Sequence, residues 1–231
     1  MTTAPLRFVL NPVGDELEAA LECEAEVFFN AYGNTDEELE QEYGPYADQT
    51  GFLTVLDESG DALATTRFIT PGPAGLNTLN DVGRDPWRDD GVRAARAAGI
   101  DPDRTWDVGT IAVRRTRGHT ALCSAALYHG IVTAAHANEI DFIVMIMDER
   151  PRRLLSASGL QPNVLPGTGE GEYLGSERSI PLWANLHRMF DQQRRINPEA
   201  YRLIFQAIGL DGIALPTDWT YRPVSQRIAS R

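Results

Sequence analysis

The stretch "VRRTRGHTAL" (113–122) sets three arginines and a single glycine between an apolar run and an alanine-rich one. A loop that wraps a phosphate with its backbone usually carries several glycines, because Cβ atoms block the approach of the anion to N–H groups. Here charge stands in for glycine: Arg114, Arg115 and Arg117 precede Gly118, and His119 adds a ring that could contact a phosphate. A second run, "ERPRR" (149–153), brings Arg150, Arg152 and Arg153 to the end of the next apolar segment. If the two apolar segments are adjacent parallel strands, both arginine runs fall on one edge of the sheet and make a local anion site. The first N–H groups of a helix starting there, with the positive end of its dipole, would reinforce it. Any one of these arginines alone reads first as a solvated turn residue; their recurrence at two strand ends is what argues for a site.

The flanking elements decide whether that geometry exists. "TWDVGTIAV" (105–113) reads as a strand, with Gly109 marking a bulge or a close backbone approach. "ALCSAALYHGIVTAAHAN" (121–138) is apolar on nearly every side, as a helix buried against a sheet is. "IDFIVMIMD" (140–148) is a continuous apolar run of the kind a buried parallel strand gives, and "RPRRLLSASG" (150–159) reads as a short helix bounded by Pro151 and Gly159. Strand, helix, strand, helix in this order predicts a right-handed parallel crossover in mid-chain. Upstream, "GDELEAALECEAEVFFNAY" (14–32) has the spacing of an amphipathic helix, and "GFLTVLD" (51–57) with "ALATTRFIT" (62–70) reads as a hairpin. From Pro71 to Arg104 the chain is rich in Gly, Pro, Asp and Arg, with a short helix over 91–99, and such a segment is often a functional lid. Residues 173–209 read as one more strand and two helices.

A length of 231 residues fits one large domain or two small ones; one is expected, with residues 191–231 as a C-terminal helical extension. The net charge of −12 argues against non-specific binding to nucleic acid or an anionic membrane surface. No apolar run reaches the roughly 20 residues of a membrane span, and "MTTAPLRFVLNPVGDE" lacks the pattern of a secretory signal, so a cytoplasmic protein is expected. Cys23 and Cys123 form neither a disulfide framework nor a metal set, and no His/Cys/Asp cluster has metal spacing. His129, His136, Tyr128 and Cys123 lie on the apolar helix and read as core or helix-end residues.

The bulged strand, the arginine turn, the helix and the second parallel strand resemble the core of the GNAT superfamily of N-acyltransferases. That resemblance implies a twisted mixed sheet with splayed central parallel strands flanked by helices, a mixed α/β fold. In that family the turn, of type R-x-x-G-x-G/A, holds the pyrophosphate of coenzyme A; the pattern falls here on Arg117 with Thr120 and Leu122 at its glycine positions. The acyl-homoserine-lactone synthases, a GNAT-like branch, also lack the tidy glycine turn. "EVFFNAYGNTDEELEQEYGPYAD", "ATTRFITP", "WDVGTIAV", "RRLLSASGL" and Tyr173-Leu174-Gly175 are similar to motifs of that branch over roughly residues 20–190. The chain departs from it at Glu24 and Ala25, near the place of an arginine, and at Tyr32, Gly44 and Thr110. The long-chain N-acyl amino acid synthases share the scaffold without the homoserine lactone substrate.

The resemblance implies transfer of an acyl group from acyl-CoA or acyl carrier protein to the amine of a small molecule, without a metal. Ile111 and Val113 would meet the donor along the bulged strand; Arg114, Arg115, Arg117, Gly118, His119, Thr120 and Arg152 would hold its phosphates. Glu42, Asp48, Phe28 and Trp106 would face the acceptor. Such chemistry needs an unprotonated amine, a donor to the thioester oxygen and a proton for the leaving sulfur. Asp107 is the first candidate for the base, directly or through water, if burial raises its pKa from about 3.9; an acid that merely holds a neighbouring arginine or faces solvent is the alternative. Arg67 would pair with Asp107 or with a substrate carboxylate, since a planar guanidinium suits bidentate binding. Glu42 and Asp48 would hold an amine, or else form an ordinary acidic face. The tyrosine acid that many GNAT enzymes carry after the second splayed strand is Leu155 here, and no general acid is named by the pattern. The rival reading is a GNAT-like module that binds acyl-CoA or a protein partner without turnover.

Overall fold

The computed structural model describes residues 6–116 and 118–222. The chain opens with a strand, β1 (Leu6–Leu10), then a long helix, α1 (Asp15–Tyr32), and a short one, α2 (Asp36–Tyr43). Thr35 caps α2 through a reciprocal capping box with Glu38, which fixes where that helix starts. A 3₁₀ turn over Gly44–Gln49 leads into the hairpin β2 (Thr50–Leu56) and β3 (Ala62–Ile69). The segment expected to be irregular contains α3 (Asn77–Asp81) and α4 (Gly91–Ala98). Leu76, Leu79, Val82, Ala94, Ala95 and Ile100 from it form a buried cluster with Val144 and Leu165, so this segment is a packed layer of the molecule and not a lid.

The expected crossover follows as β4 (Thr105–Val113), α5 (Thr120–Ala137) and β5 (Phe142–Asp148), then α6 (Glu149–Ala157). Two short strands, β6 (Asn163–Val164) and β7 (Gly171–Tyr173), precede the long β8 (Ser176–Asn185). The chain continues through α7 (Leu186–Ile196) and α8 (Pro198–Gln206) to β9 (Ile213–Ala214). The C-terminal segment is therefore not wholly helical, because β9 pairs parallel with β1 at the edge of the sheet.

The nine strands make one mixed sheet in the order β6-β8-β5-β4-β3-β2-β1-β9, with β7 also on β8. Alternation along the strands sends Phe68, Trp106 and Val108 to a core shared with α5, and Ile69 to a second cluster with Leu39, Tyr43 and Tyr46. The α5 helix lies close to the sheet because Gly130 makes room: a Cβ there would stand 2.2 Å from the Phe8 ring. Past β9 the chain crosses under this core. Tyr221 packs edge-on against Phe68 and Trp106, its hydroxyl donates to the Thr50 carbonyl at 3.1 Å, and Asn138 bonds the backbone of both Trp219 and Tyr221.

Candidate active site

β4 and β5 pair at only three positions, Thr105 with Phe142 through Asp107 with Val144. Beyond them β5 stays with β8 as far as Asp148, while β4 stays with β3 as far as Val113, so the two central strands part. The opening is a cavity of about 630 Å³ that runs through the sheet from α1 to α5. Val108, Ile111, Val113, Ile146 and Met147 line it from the strands, Phe28 and Tyr32 from α1, and Tyr128 from α5. A smaller, almost wholly apolar slot of about 40 Å³ shares Val108, Ile111, Tyr128 and Met147 with it and ends against Leu186, Met189 and Phe190. At the mouth stand Arg114, Arg115, Arg150 and Thr120.

The bulge falls where Gly109 suggested it. Arg67 pairs with Thr110 and Phe68 with Val108, leaving Gly109 as the extra residue. A side chain would not fit there: a Cβ would come 2.9 Å from the Tyr43 ring, whose hydroxyl donates to the Gly109 carbonyl at 3.1 Å. Beside the bulge Arg67 binds Glu24 through two hydrogen bonds, Nε to Oε1 at 2.9 Å and Nη2 to Oε2. The Thr110 hydroxyl donates to the same carboxylate. The Arg67 guanidinium also lies 4.7 Å from the centres of both the Tyr43 and Phe52 rings.

A second polar group lies behind the cavity wall. Tyr173, which lines the cavity, places its hydroxyl 2.6 Å from Glu42 Oε1 and 2.8 Å from Asp81 Oδ2, and Asn77 Nδ2 donates to Glu42 at 2.8 Å. Burial, together with the hydrogen bond to Glu42 and its charge, pushes the Asp81 carboxyl up to about 8. Burial acts the same way on Glu42, but hydrogen bonds from Asp81, Tyr173 and Asn77 outweigh it and hold Glu42 below the usual range. Nearer the mouth, burial and the Asp148 carboxylate raise the Tyr32 phenol, and Ser176 donates to Asp148 at 2.8 Å.

Several expected residues are brought together here and several are not. Ile111, Val113, Arg114, Arg115, Thr120 and Phe28 all stand on the cavity wall. Arg114 is also tied to Glu26 at 2.7 Å. Gly118 takes a left-handed φ of +89°, which suits glycine, and His119 Nδ1 is buried with no partner among the described residues. Arg117 lies outside the described residues.

Asp107 does not pair with Arg67 and does not reach the cavity. Strand alternation turns it away from Val108, and Thr78 takes both of its oxygens, backbone N–H at 2.6 Å and hydroxyl at 2.9 Å. Burial, partly offset by those bonds, pushes its carboxyl up to about 7. Trp106 stacks on Phe68 at 4.4 Å in the core, and Asp48 is exposed on the 3₁₀ turn, so neither borders the cavity. Arg152 turns to Glu170 at 2.8 Å, because residues two apart on a helix face opposite sides; Arg150 takes the place at the mouth. Cavity residues that the sequence pattern did not single out are Tyr43 and Asp148, and Tyr173, which the resemblance places in a short motif without a role, stands on the wall with them. His129 is buried and bonds the Ile204 carbonyl at 2.8 Å, and Cys123 is buried with its thiol pushed up to about 11 by desolvation, as core residues. Among the described residues no group of three or more His, Cys, Asp and Glu side chains could hold a metal, and no helix is long and apolar enough to cross a membrane.

No family model matches the sequence and no curated protein matches it. Solved structures do match its fold. FeeM, an N-acyl amino acid synthase from uncultured soil microbes, superposes with a TM-score of 0.62 at 15% identity, over 83% of this chain and 95% of that one. BjaI, a CoA-dependent acyl-homoserine lactone synthase with SAM and isopentyl-CoA, gives 0.59 at 15% identity, over 98% and 99%. The homoserine lactone synthase LasI gives 0.53 at 10% identity, over 84% and 96%. The fold is thus the GNAT-type twisted sheet with splayed central strands, in the form that these synthases share.

Proposed function

We propose that this protein is an N-acyltransferase that moves an acyl group from acyl-CoA or acyl carrier protein to the amine of a small molecule, an amino acid among the candidates. The observation that carries the reading is the parting of β4 and β5 around a through-sheet cavity with arginines at one end and an apolar slot at the other. A fatty acyl thioester has matching parts: phosphates for Arg114, Arg115, Arg150 and the start of α5, and a hydrocarbon chain for the slot. Its thioester would then lie at the Gly109 bulge, with the amine entering from the side of Phe28 and Tyr173. The fold neighbours whose names give an acyl-amino acid or a CoA-dependent lactone product support the same class of reaction.

The test is incubation of the protein with a series of acyl-CoAs and a pool of amino acids and amines, following thiol release and new amides by mass spectrometry. Matched thiol and amide formation is expected. Stabilisation by acyl-CoA without turnover would instead mark a binding module, and no response to acyl-CoA or acyl carrier protein would overturn the reading.

A further inference from the structure

The bulge at Gly109 is held by a closed circuit of side chains. The Glu24 carboxylate of α1 takes two hydrogen bonds from Arg67 of β3, Nε at 2.9 Å and Nη2. The Arg67 guanidinium lies 4.7 Å from the centre of the Tyr43 ring of α2, and the Tyr43 hydroxyl donates to the Gly109 carbonyl at 3.1 Å. Thr110 follows Gly109, and its hydroxyl donates back to Glu24. Two helices and the neighbouring strand thus meet on two consecutive residues of β4. Glu24 and Thr110 stand 86 positions apart, and both are places where the chain departs from the homoserine-lactone-synthase motifs.

The Thr110 hydroxyl is the link that ties main chain to side chain in this circuit. It donates to Glu24 Oε1 and accepts the Arg67 backbone N–H at 3.3 Å, so it stands in for a ladder carbonyl where the bulge breaks the pairing of β3 with β4. Thr110 and Glu24 are both buried, so water does not compete for these bonds. The clamp answers a local weakness. The closeness of the Tyr43 ring admits only glycine at 109, and glycine is the residue whose backbone is least confined. A hydroxyl fixed by one donor and one acceptor on the next residue restores that confinement. Gly109 and Thr110 both border the large cavity, and neither lines the apolar slot.

We infer that Thr110 is a positioning residue for acyl transfer: its hydroxyl, held between Glu24 and the Arg67 N–H, fixes the shape of the bulge against which the thioester lies. This rests on the acyl-transfer reading and on its placing of the thioester at Gly109. On that reading donor affinity comes from phosphates at Arg114, Arg115 and Arg150 and from the acyl chain in the slot, interactions that do not involve the bulge. Loosening the bulge therefore leaves the donor bound and displaces only its reacting carbonyl. A displacement of about 1 Å costs on the order of 10²-fold in rate. The hydroxyl itself, with both partners taken, does no chemistry.

The test uses the full chain with the acyl-CoA and amine that the wild type turns over fastest, taking donor affinity from calorimetry and kcat from thiol release, well below the melting temperature of each variant. Thr110→Val keeps the shape and loses the hydroxyl; its kcat is expected to fall by about 10–10²-fold with acyl-CoA affinity unchanged. Thr110→Ser, which keeps the hydroxyl, is expected to recover most of that rate. A role in stability alone would lower the melting temperature of Thr110→Val and leave the kcat of the folded protein intact. A Thr110→Val kcat within roughly threefold of wild type, or a Thr110→Ser kcat as low as that of Thr110→Val, overturns the clamp. If Thr110→Val does not fold, Thr110→Ala, which sets no methyl group against the Glu24 carboxylate, is judged by the same limits. Failure of the wild type to release thiol with any amine overturns the acyl-transfer reading and the clamp with it. Wild-type turnover with unchanged variants overturns the clamp alone.

Discussion

Replacing Glu24 with alanine strips Arg67 of the carboxylate it pairs with, in a place where water hardly reaches: the side chains are 1% and 11% exposed. Removing one member of a buried ion pair costs about 3–5 kcal/mol, because the remaining charge stays desolvated without compensation. The upper half of that range is expected here, since Thr110 donates to the same carboxylate and loses its acceptor as well. Against a typical total stability of about 5–15 kcal/mol this is a large fraction. Urea unfolding at pH 7, with the slope m unchanged and the midpoint lowered, measures it directly. The double variant Glu24→Leu with Arg67→Met removes both charges, and it is expected to lose less than either single change, because a buried pair exchanged for apolar side chains is often close to neutral. A Glu24→Ala loss below about 1 kcal/mol, the value of an exposed pair, would refute the reasoning. So would a double variant that loses the sum of the two singles.

Asp107 makes stability depend on pH with a definite sign. Below about pH 4 it is protonated whether folded or not; between about 4 and 7 only the unfolded chain releases the proton, so this group destabilises the fold progressively as pH rises. Asp107→Asn is expected to flatten that slope, with a gap on the order of 4 kcal/mol above pH 7; parallel unfolding profiles from pH 4 to 8 would refute it. Arg150→Ala is expected to weaken acyl-CoA binding about tenfold and to reduce its salt dependence, while Arg152→Ala leaves both unchanged. Calorimetry at two ionic strengths checks this, and the reverse order would show the mouth wrongly assigned. Ile111→Trp narrows the entrance to the apolar slot, so affinity should drop for long acyl chains and hold for short ones, by about 0.8 kcal/mol per excluded methylene. A uniform drop over a chain-length series would place the acyl group elsewhere.

The elements that build the cavity were legible because their signals are local. The apolar run 140–148, the alanine-rich helix before it and the β-branched hairpin each carry their pattern within a few turns or strand positions, and Gly109 marks the bulge by its own lack of Cβ. Side-chain direction was harder. The local pattern puts Asp107 on a strand and Arg152 on a helix without giving the side each faces: strand alternation sends Asp107 to Thr78 and helix pitch sends Arg152 to Glu170. Glu42 and Tyr173 lie in motifs of the resemblance, but nothing local to the sequence joins them to each other or to Asp81. The three residues come from a short helix in a Gly- and Pro-rich segment, from the end of α2, and from a three-residue strand that exists only through its pairing with β8. Tyr173 is 131 residues from Glu42 in sequence, and only the tertiary fold makes them neighbours.

The short parallel pairing of β9 with β1, and the crossing of Trp219 and Tyr221 beneath the sheet, join the beginning of the described chain to its end: Asn11 reaches the backbone of Arg222, 211 positions away. Contacts of that span close a loop of nearly the whole described length, so their entropy cost is met late, after the hairpin and the crossover have formed. Until they do, Phe68 and Trp106 have one side uncovered. A ribosome-bound chain that has not yet released residue 222 therefore carries an assembled central sheet with an apolar underside open to water, and during synthesis that underside, more than the cavity, is the surface most in need of protection from other chains.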